Sequence, residues 1–328
     1  MDKLIFILLG ALVMVVTPTI FFLSLINHPM AADRQFSINI ESGESFDEIA
    51  SKLQDEQIIY SKTLLKIYSL FVGKAHQFKS GYYIFDSQPS IRELVDILVV
   101  GPKQISITIV PGMTLNEIDD ELSSVGFIKS GGLIGLDIES LKDYYPYLES
   151  AKSLEGFLLP DTYYFSLGSK NFLVARKILD NFKLKALPLF STENNIQEKI
   201  ILASILEKEV PNDDDRKLVA GILIKRLEVG MPLQVDASVV YFTCGQRYFD
   251  CPALEKADFK TDSPFNTYLY KGLPYHAISN PDLEAIKAAL EPQKSAYWYY
   301  LSDPKTQKTI FSKTLDEHNA NRAIYLNK

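Results

Sequence analysis

The sequence has few of the residues from which disulfide scaffolds and metal sites are built. Only two cysteines, Cys244 and Cys251, and four scattered histidines occur among the 328 residues. Two cysteines are too few for a disulfide-built scaffold or a four-cysteine zinc site, and no two histidines have the spacing of a metal-binding pair. We therefore expect neither a metal nor a cofactor.

An excess of positive charge is also absent. The 34 basic side chains are outnumbered by 41 acidic ones, which leaves a net charge of −7. Without a positive field the chain is a poor partner for nucleic acid, and that class of function is excluded. The hydrophobic content of 47% and the charged content of 23% are typical of a folded globular chain. These values exclude a disordered or fibrous protein.

Charge is missing altogether from residues 4–26, a run of 23 residues. A helix of this length spans roughly 35 Å, which is enough to cross the apolar core of a bilayer. The run is longer than the apolar region of a signal peptide, so it favours an uncleaved single-pass anchor over a cleaved signal. Lys3 precedes the run and the next basic residue is Arg34, which favours a cytoplasmic N-terminus. We predict an inner (cytoplasmic) membrane protein whose C-terminal body lies in the periplasm.

A repeat relates residues 37–59 to residues 106–128 at a constant offset of 69 residues. Gly43 and Glu48 meet identical residues in the second copy, and Ser45 meets Thr114. Each copy alternates apolar and polar residues, turns at its glycine and continues into an S/T-x-x-E capping box. Both copies are therefore predicted to form a strand, a turn and a helix.

Residues 34–104 are predicted to form a small α+β module around the first copy. A helix near residues 63–71, a strand at 80–85 and a helix opened by Ser90 and Glu93 follow it. This β-α-α-β order resembles the LysM domains that bind N-acetylglucosamine chains. The alternative is a spacer module without a ligand.

Residues 195–210 predict a buried helix that ends in two glutamates. Asn195 and Glu198 form an N-x-x-E start, and Pro211 ends the helix after Val210. Apolar residues cover most of the helix circumference, as in a helix buried on all sides. At about 100° per residue, Glu207 and Glu209 point roughly 160° apart and cannot flank one bond together.

Glu209 is the stronger candidate for an acid. The residues three, four and seven positions before it are all apolar, whereas those before Glu207 include Ala203 and Ser204. Burial and the negative end of the helix dipole both raise the pKa of a carboxyl group. Such a group can hold a proton near neutral pH and give it to a leaving oxygen. The alternative is that both glutamates lie exposed at a frayed helix end.

Five motifs in order complete the pattern: ASILEKE at 203–209, KRLEVGMPLQVDASVVY at 225–241, SPFNTYLYKGLP at 263–274, ISNPDLEAIKAALEP at 278–292 and FSKTLDEHN at 311–319. This order resembles the endolytic murein transglycosylase family, also called YceG-like or MltG-like. Its members are membrane-anchored lyases that cut nascent peptidoglycan strands.

The resemblance implies that Glu209 protonates the glycosidic oxygen after an N-acetylmuramic acid residue and then acts as base on the 6-hydroxyl of that sugar. The product is a 1,6-anhydro end, and strand growth is terminated. Peptidoglycan strands would be the substrate, and peptidoglycan synthases would be partners. Two rivals remain: a muramidase-type hydrolase, in which Asp236 handles water, and a non-catalytic peptidoglycan-binding scaffold.

Glu207, Gln234, Asp236, Asn266 and Tyr268 are the candidates for substrate binding. Gln234 and Asp236 share one face if their segment is a strand; the alternative is a turn with a helix cap, since Asp236 followed by Ala-Ser can start a helix. Asn266 and Tyr268 offer an amide and a phenol to acetamido groups, although the same residues could simply build a loop. Glu207 joins this set through its position beside Glu209 in the chain.

Cys244 and Cys251 flank a short segment, CGQRYFDC, that has no counterpart among the motifs of the family. Gly245 permits a turn there, and an exported body would lie in an oxidising compartment. A disulfide and two unpaired thiols both remain open.

The predicted fold class is α+β, with the acidic residue on a buried helix of the larger domain. Four segments are expected: 1–33 for the cytoplasmic stub, anchor and linker; 34–104 for the LysM-like module; 105–190 for the second repeat and a connecting region of the catalytic part; and 191–328 for the catalytic core.

Overall fold

The structure is a computed structural model that describes residues 2–27, 36–85, 87–190 and 195–326. It divides the chain into two compact units. The first contains residues 1–105 and 165–169, and the second contains residues 106–164 and 170–328. Both units combine helices with short sheets, which confirms the predicted α+β class.

The first unit has a β-α-α-β core. Its elements are α1 (Asp2–Asn27), β1 (Phe36–Ile40), α2 (Phe46–Asp55), α3 (Lys62–Phe71), β2 (Gly81–Phe85) and α4 (Ile91–Val100). Strands β1 and β2 pair antiparallel, with Ile38 opposite Tyr83. The inward-facing residues of this pair pack against Leu53 of α2 and Leu94 of α4 in one apolar core, which also takes in Ile26 at the end of α1.

Helix α1 covers the uncharged run at residues 4–26. None of the helices in the described part of the chain qualifies, by length and apolar character, as a membrane span. The transmembrane anchor therefore stays a prediction. The linker predicted at residues 28–33 lies outside the described residues.

The remaining helices and strands lie wholly or mainly in the second unit: β3 (Gln104–Ile109), α5 (Leu115–Ser124), α6 (Glu139–Lys142), β4 (Asp161–Ser166), α7 (Asn171–Lys185), α8 (Ile196–Glu209), α9 (Asp213–Glu228), α10 (Asp236–Thr243), α11 (Leu283–Leu290), β5 (Tyr299–Ser302), β6 (Thr309–Ser312) and α12 (Leu315–Tyr325). The division between the units falls inside β3 and β4, which pair with each other. Strands β5 and β6 pair antiparallel, with Tyr300 opposite Phe311.

The predicted capping boxes are confirmed in both repeat copies. Ser45 and Glu48 exchange side-chain and backbone hydrogen bonds at the start of α2, and Thr114 and Glu117 do the same at the start of α5. Each exchange satisfies two N–H groups that the first turn of a helix leaves without partners. The repeat therefore places each helix start directly after a glycine turn.

Helix α8 is the buried centre of the second unit. Every residue from Ile200 to Leu206 is buried, and the helix packs against α9, α10 and α11. Helix α9 lies so close to the segment after α11 that a Cβ atom on Gly221 would be 1.9 Å from the carbonyl oxygen of Gln293. At this point the backbone of α9 and the segment after α11 are in direct contact, which leaves no room for a side chain at residue 221.

Candidate active site

Glu209 is the last residue of α8 and is half-buried. Its Oε1 accepts a hydrogen bond of 3.1 Å from the N–H of Ala237, in the first turn of α10. Its carbonyl oxygen accepts a hydrogen bond of 3.0 Å from the hydroxyl of Ser302 in β5. The carboxyl group is therefore fixed where α8, α10 and β5 meet, and it keeps some contact with solvent.

The surroundings of Glu209 bring its pKa close to neutral. Burial raises the pKa to about 7, the N–H of Ala237 opposes that rise, and the negative charge of Asp236 adds to it. The end of α8 and the start of α10 act in opposite directions, since the first disfavours an anion and the second favours one. At neutral pH both forms of the carboxyl group are populated, so the group can give a proton and take one back.

Phenol groups surround this carboxyl. Burial raises the pKa of Tyr268, Tyr300 and Tyr248, and the charge of Glu209 raises each of them further. All three hydroxyls therefore stay protonated and remain hydrogen-bond donors. The hydroxyl of Tyr268 donates to Oδ1 of Asp236. The structure thus brings three of the predicted site residues together: Glu209, Asp236 and Tyr268.

Gln234 and Asp236 lie at the turn into α10, not on a strand. Gln234 has a φ of 53°, in the left-handed region, and its N–H donates to the carbonyl oxygen of Thr267 at 3.1 Å. Asp236 is the first residue of α10. The strand alternative is wrong, because hydrogen bonds to the loop around Thr267 turn the chain at this point. The turn and the helix of the other alternative are present, but the cap position is Val235 and no side chain caps the helix. The side chains of Gln234 and Asp236 are both exposed.

Asn266 is buried inside the loop that carries Tyr268. Its Nδ2 donates to the carbonyl oxygens of Thr261 at 2.8 Å and Phe259 at 3.2 Å, and its Oδ1 accepts from the N–H of Tyr268 at 3.0 Å. The side-chain amide is therefore used within the loop. It holds Tyr268 in place beside Asp236.

Glu207 lies on another side of α8 from Glu209, as the helix geometry predicted. Its side chain is 6% exposed, and Oε1 forms an ion pair of 3.0 Å with Arg216 of α9. Oε2 accepts a hydrogen bond of 2.9 Å from the N–H of Asp282, at the start of α11. Both oxygens are engaged in joining three helices, and the structure does not bring Glu207 to the other candidates.

Sequence reasoning missed Tyr248, Tyr300 and the N–H of Ala237. It also missed Glu155, a buried carboxyl group that accepts hydrogen bonds from the N–H of Leu115 and the side chains of Tyr241 and Asn280. Burial raises the pKa of Glu155 to about 8, although these hydrogen bonds oppose the rise. The signal for Glu155 was a lone acid in a strongly apolar segment, LEGFLLP.

Two further features bear on the chemistry of the site. Within the described ranges, no group of three or more His, Cys, Asp or Glu residues has the arrangement needed to hold a metal ion. Cys244 and Cys251 are joined in a disulfide, with Cα atoms 5.7 Å apart. Of the two states that the sequence left open, the structure has the bonded one.

The α+β fold thus presents a half-buried acid with a near-neutral pKa at the end of a buried helix. The chain belongs to the YceG-like family, whose profile matches residues 38–324. This match confirms the resemblance predicted from the five motifs.

Relatives and a solved structure agree with this family. The chain is 29% identical over 310 residues to an endolytic murein transglycosylase of Bacillus subtilis, covering 88% of this chain and 84% of the relative. It is 25% identical over 323 residues to an endolytic murein transglycosylase of Streptococcus pneumoniae, and there it spans 89% of this chain but only 58% of the relative. A crystal structure of a YceG-like protein from Listeria monocytogenes matches with a TM-score of 0.59 and 27% identity, covering 88% of this chain and all of that one.

Proposed function

We propose that this protein is an endolytic lytic transglycosylase of peptidoglycan. It cuts the glycosidic bond between N-acetylmuramic acid and N-acetylglucosamine inside nascent strands, leaves 1,6-anhydro ends and so limits strand length. The observation that carries the proposal is the state of Glu209, a half-buried carboxyl group with a pKa of about 7 at the junction of three elements. The relatives are endolytic murein transglycosylases, and their name supports murein, that is peptidoglycan, as the substrate class.

The chemistry needs one group that first gives and then takes a proton. Protonated Glu209 gives its proton to the glycosidic oxygen, and the bond from that oxygen to C1 of the muramic acid breaks. The resulting carboxylate takes the proton of the 6-hydroxyl of the same sugar, and O6 bonds to C1. A pKa close to the working pH suits both steps. Between them, the N–H of Ala237 stabilises the carboxylate.

Other side chains support this event in the proposal. Asp236 is exposed beside Glu209 and held by the hydroxyl of Tyr268, so its charge stabilises the oxocarbenium character that develops at C1. The exposed side chain of Gln234 binds sugar hydroxyls, and Asn266 shapes the loop that presents Tyr268. Neither a metal nor a second carboxylate nucleophile has a part in the reaction.

We further propose that helix α1, which contains the uncharged run, anchors the protein in the cytoplasmic membrane and that its body lies in the periplasm. The uncharged run at residues 4–26 supports this location, as does the Cys244–Cys251 disulfide, because such bonds persist in oxidising compartments.

The β-α-α-β core of the first unit is proposed to bind glycan in the manner of LysM domains. Peptidoglycan synthases are the proposed partners.

The test is mass spectrometry of the fragments that the full chain releases from uncrosslinked peptidoglycan. Wild type is expected to leave sugar ends lighter by one water than hydrolysis products. Glu209→Gln removes the transferable proton and is expected to abolish these fragments while thermal unfolding stays cooperative. Glu207→Gln, on the same helix, is the control, since it should lower the melting temperature but keep the same products.

The outcomes separate the rival functions. Ordinary reducing ends that disappear with Glu209→Gln would show a muramidase-type hydrolase with the same acid. Equal cleavage by wild type and Glu209→Gln would remove Glu209 from the reaction. No cleavage by folded wild type would favour the non-catalytic binding scaffold.

A further inference from the structure

A short loop closed by the disulfide follows α10. This disulfide-closed loop comprises residues 244–251, CGQRYFDC. Its two ends lie 5.7 Å apart between Cα atoms of Cys244 and Cys251. A cross-link of this kind narrows the range of conformations that so short a segment can adopt.

The disulfide-closed loop is docked on the start of α5. Oε1 of Glu117 accepts hydrogen bonds from the N–H groups of Tyr248 at 2.6 Å and Phe249 at 3.0 Å. Arg247 forms a two-pronged ion pair with Asp120, at 2.8 and 3.1 Å. Two main-chain hydrogen bonds and one ion pair therefore attach the loop to α5.

This docking turns one side chain inward and its neighbour outward. Phe249 is 79% exposed. Tyr248 instead lies with its ring 3.7 Å from the ammonium group of Lys208, the residue before Glu209. The hydroxyl of Tyr248 donates a hydrogen bond of 3.1 Å to the carbonyl oxygen of Ala237.

Ala237 links this loop to the candidate acid. Its carbonyl oxygen accepts from Tyr248, and its N–H donates to Oε1 of Glu209. The first turn of a helix has N–H groups without partners inside the helix, so their direction depends on what holds that turn in place. The hydrogen bond from Tyr248 to Ala237 is one contact that holds the first turn of α10 in place.

We propose that Tyr248 is a positioning residue, which holds Ala237, and through Ala237 the carboxyl group of Glu209, in the geometry used for proton transfer. The inference rests on the proposed function of Glu209. The disulfide-closed loop carries Tyr248, and the contacts of the loop with Glu117 and Asp120 hold Tyr248 against α10.

The expected consequence is a change in the proton affinity of Glu209. The groups that face it are Asp236 of α10, Tyr268 of the neighbouring loop, Tyr300 of β5 and Tyr248 itself, with Arg226 of α9 beyond Tyr300. Of these contacts, the N–H of Ala237 favours the carboxylate. If that N–H is less well aimed, the carboxylate loses stabilisation and its pKa rises.

The test compares the pH dependence of kcat/KM for wild type, Tyr248→Phe and Tyr147→Phe. Activity that needs protonated Glu209 falls as pH rises, and Tyr248→Phe is expected to move this fall upward by about half a pH unit. Tyr147 is the matched control because its hydroxyl also donates to a backbone carbonyl oxygen, that of Leu179 at 3.0 Å. Tyr147→Phe should leave the profile in place.

A second measurement keeps the inference testable if Tyr248→Phe folds poorly. NMR titration of Glu209 in protein labelled at glutamate carboxyl carbons, before and after the Cys244→Ser/Cys251→Ser replacement, should show the same upward shift. Unchanged titration and unchanged pH profiles in folded variants would overturn the positioning role of Tyr248. Activity retained in Glu209→Gln would instead overturn the proposed function.

Discussion

The charge of Asp236 opposes the ionisation of Glu209 and adds to the larger effect of burial on the pKa of this carboxyl group. Asp236→Asn removes that charge, so the pKa of Glu209 should fall below about 7. Because the acid step needs the protonated form, the loss of kcat/KM with rising pH is expected to begin at lower pH. The measurement is the pH profile on uncrosslinked glycan strands.

The direction of this shift distinguishes an electrostatic effect on Glu209 from a general loss of folding. Asp236→Asn and Tyr248→Phe should move the alkaline limb in opposite directions, which a general loss of folding cannot do. A profile that keeps its midpoint in Asp236→Asn would mean that the charge of Asp236 does not reach Glu209.

Glu155 gives a second pH effect, on stability. Burial raises its pKa from 4.5 to about 8 in the folded chain, and it is only 1% exposed. The unfolded chain therefore loses this proton first as pH rises, and stability falls between about pH 4.5 and 8, by roughly 1.4 kcal/mol for each unit of pKa difference. We expect the free energy of unfolding, measured in urea, to fall over this range.

Glu155→Gln tests the source of that dependence. The amide cannot ionise, so the fall in stability between pH 5 and 8 should flatten. The variant should also be less stable at pH 5 by about 1–3 kcal/mol, since its NH₂ group faces hydrogen-bond donors from Leu115, Tyr241 or Asn280. An equally steep curve in Glu155→Gln would assign the dependence to other groups.

At the scale of elements, a buried ion network joins α8, α9 and α11. Arg216 is 6% exposed at its side chain and contacts both Glu207 and Asp282 at 3.0 Å. Arg216→Ala leaves a buried carboxylate without its partner and is expected to cost about 3–5 kcal/mol of unfolding free energy. Urea denaturation measures this change.

The adjacent residue of α9 provides the control. Lys217 pairs with Glu291, but both side chains are largely exposed, at 44% and 69%. Lys217→Ala should therefore change stability by less than about 1 kcal/mol. Comparable losses in Arg216→Ala and Lys217→Ala would contradict a structural role for the buried network.

Elements with local signals could be predicted from the sequence. The capping boxes at Ser45, Ser90 and Thr114 open helices as expected, because their hydrogen bonds involve residues three apart in the chain. For the segment at Gln234 and Asp236, the sequence could not decide between a strand and a turn that leads into a helix. Gln234 has a left-handed φ there, and its N–H donates a hydrogen bond to the carbonyl oxygen of Thr267, which lies far along the chain.

The candidate site divides in the same way. The orientation of Glu209 relative to Glu207 follows from helix geometry alone, and their contacts agree with it. The partners of Glu209 are different, since Ala237 and Ser302 come from elements that only the tertiary fold brings to α8. Periodicity carries no information on such contacts, which is why Tyr248 and Tyr300 were missed.

For the whole molecule, the second unit takes in two of the segments predicted from the sequence. Residues 105–190 were predicted as a region of the catalytic part and residues 191–328 as its core, and both lie mainly in the second unit. Long-range contacts explain this: Glu155 accepts from Asn280 at 2.7 Å, and Thr114 donates to the carbonyl oxygen of Gln246 at 2.8 Å. The second unit is assembled from both segments, so it cannot be divided between residues 190 and 191 without breaking these contacts.

The orientation of the whole chain is the remaining prediction. Lys3 is the last basic residue before the uncharged run, and positive charge is retained on the cytoplasmic side of a membrane. An alkaline phosphatase fused after Lys328 should therefore be active, because that enzyme matures only outside the cytoplasm. Arginines placed at Asn27 and His28 reverse the charge difference across the run and should lower that activity. Equal activity of a cytoplasmic reporter at the same position would contradict an exported body, and with it the access to peptidoglycan that the proposed function requires.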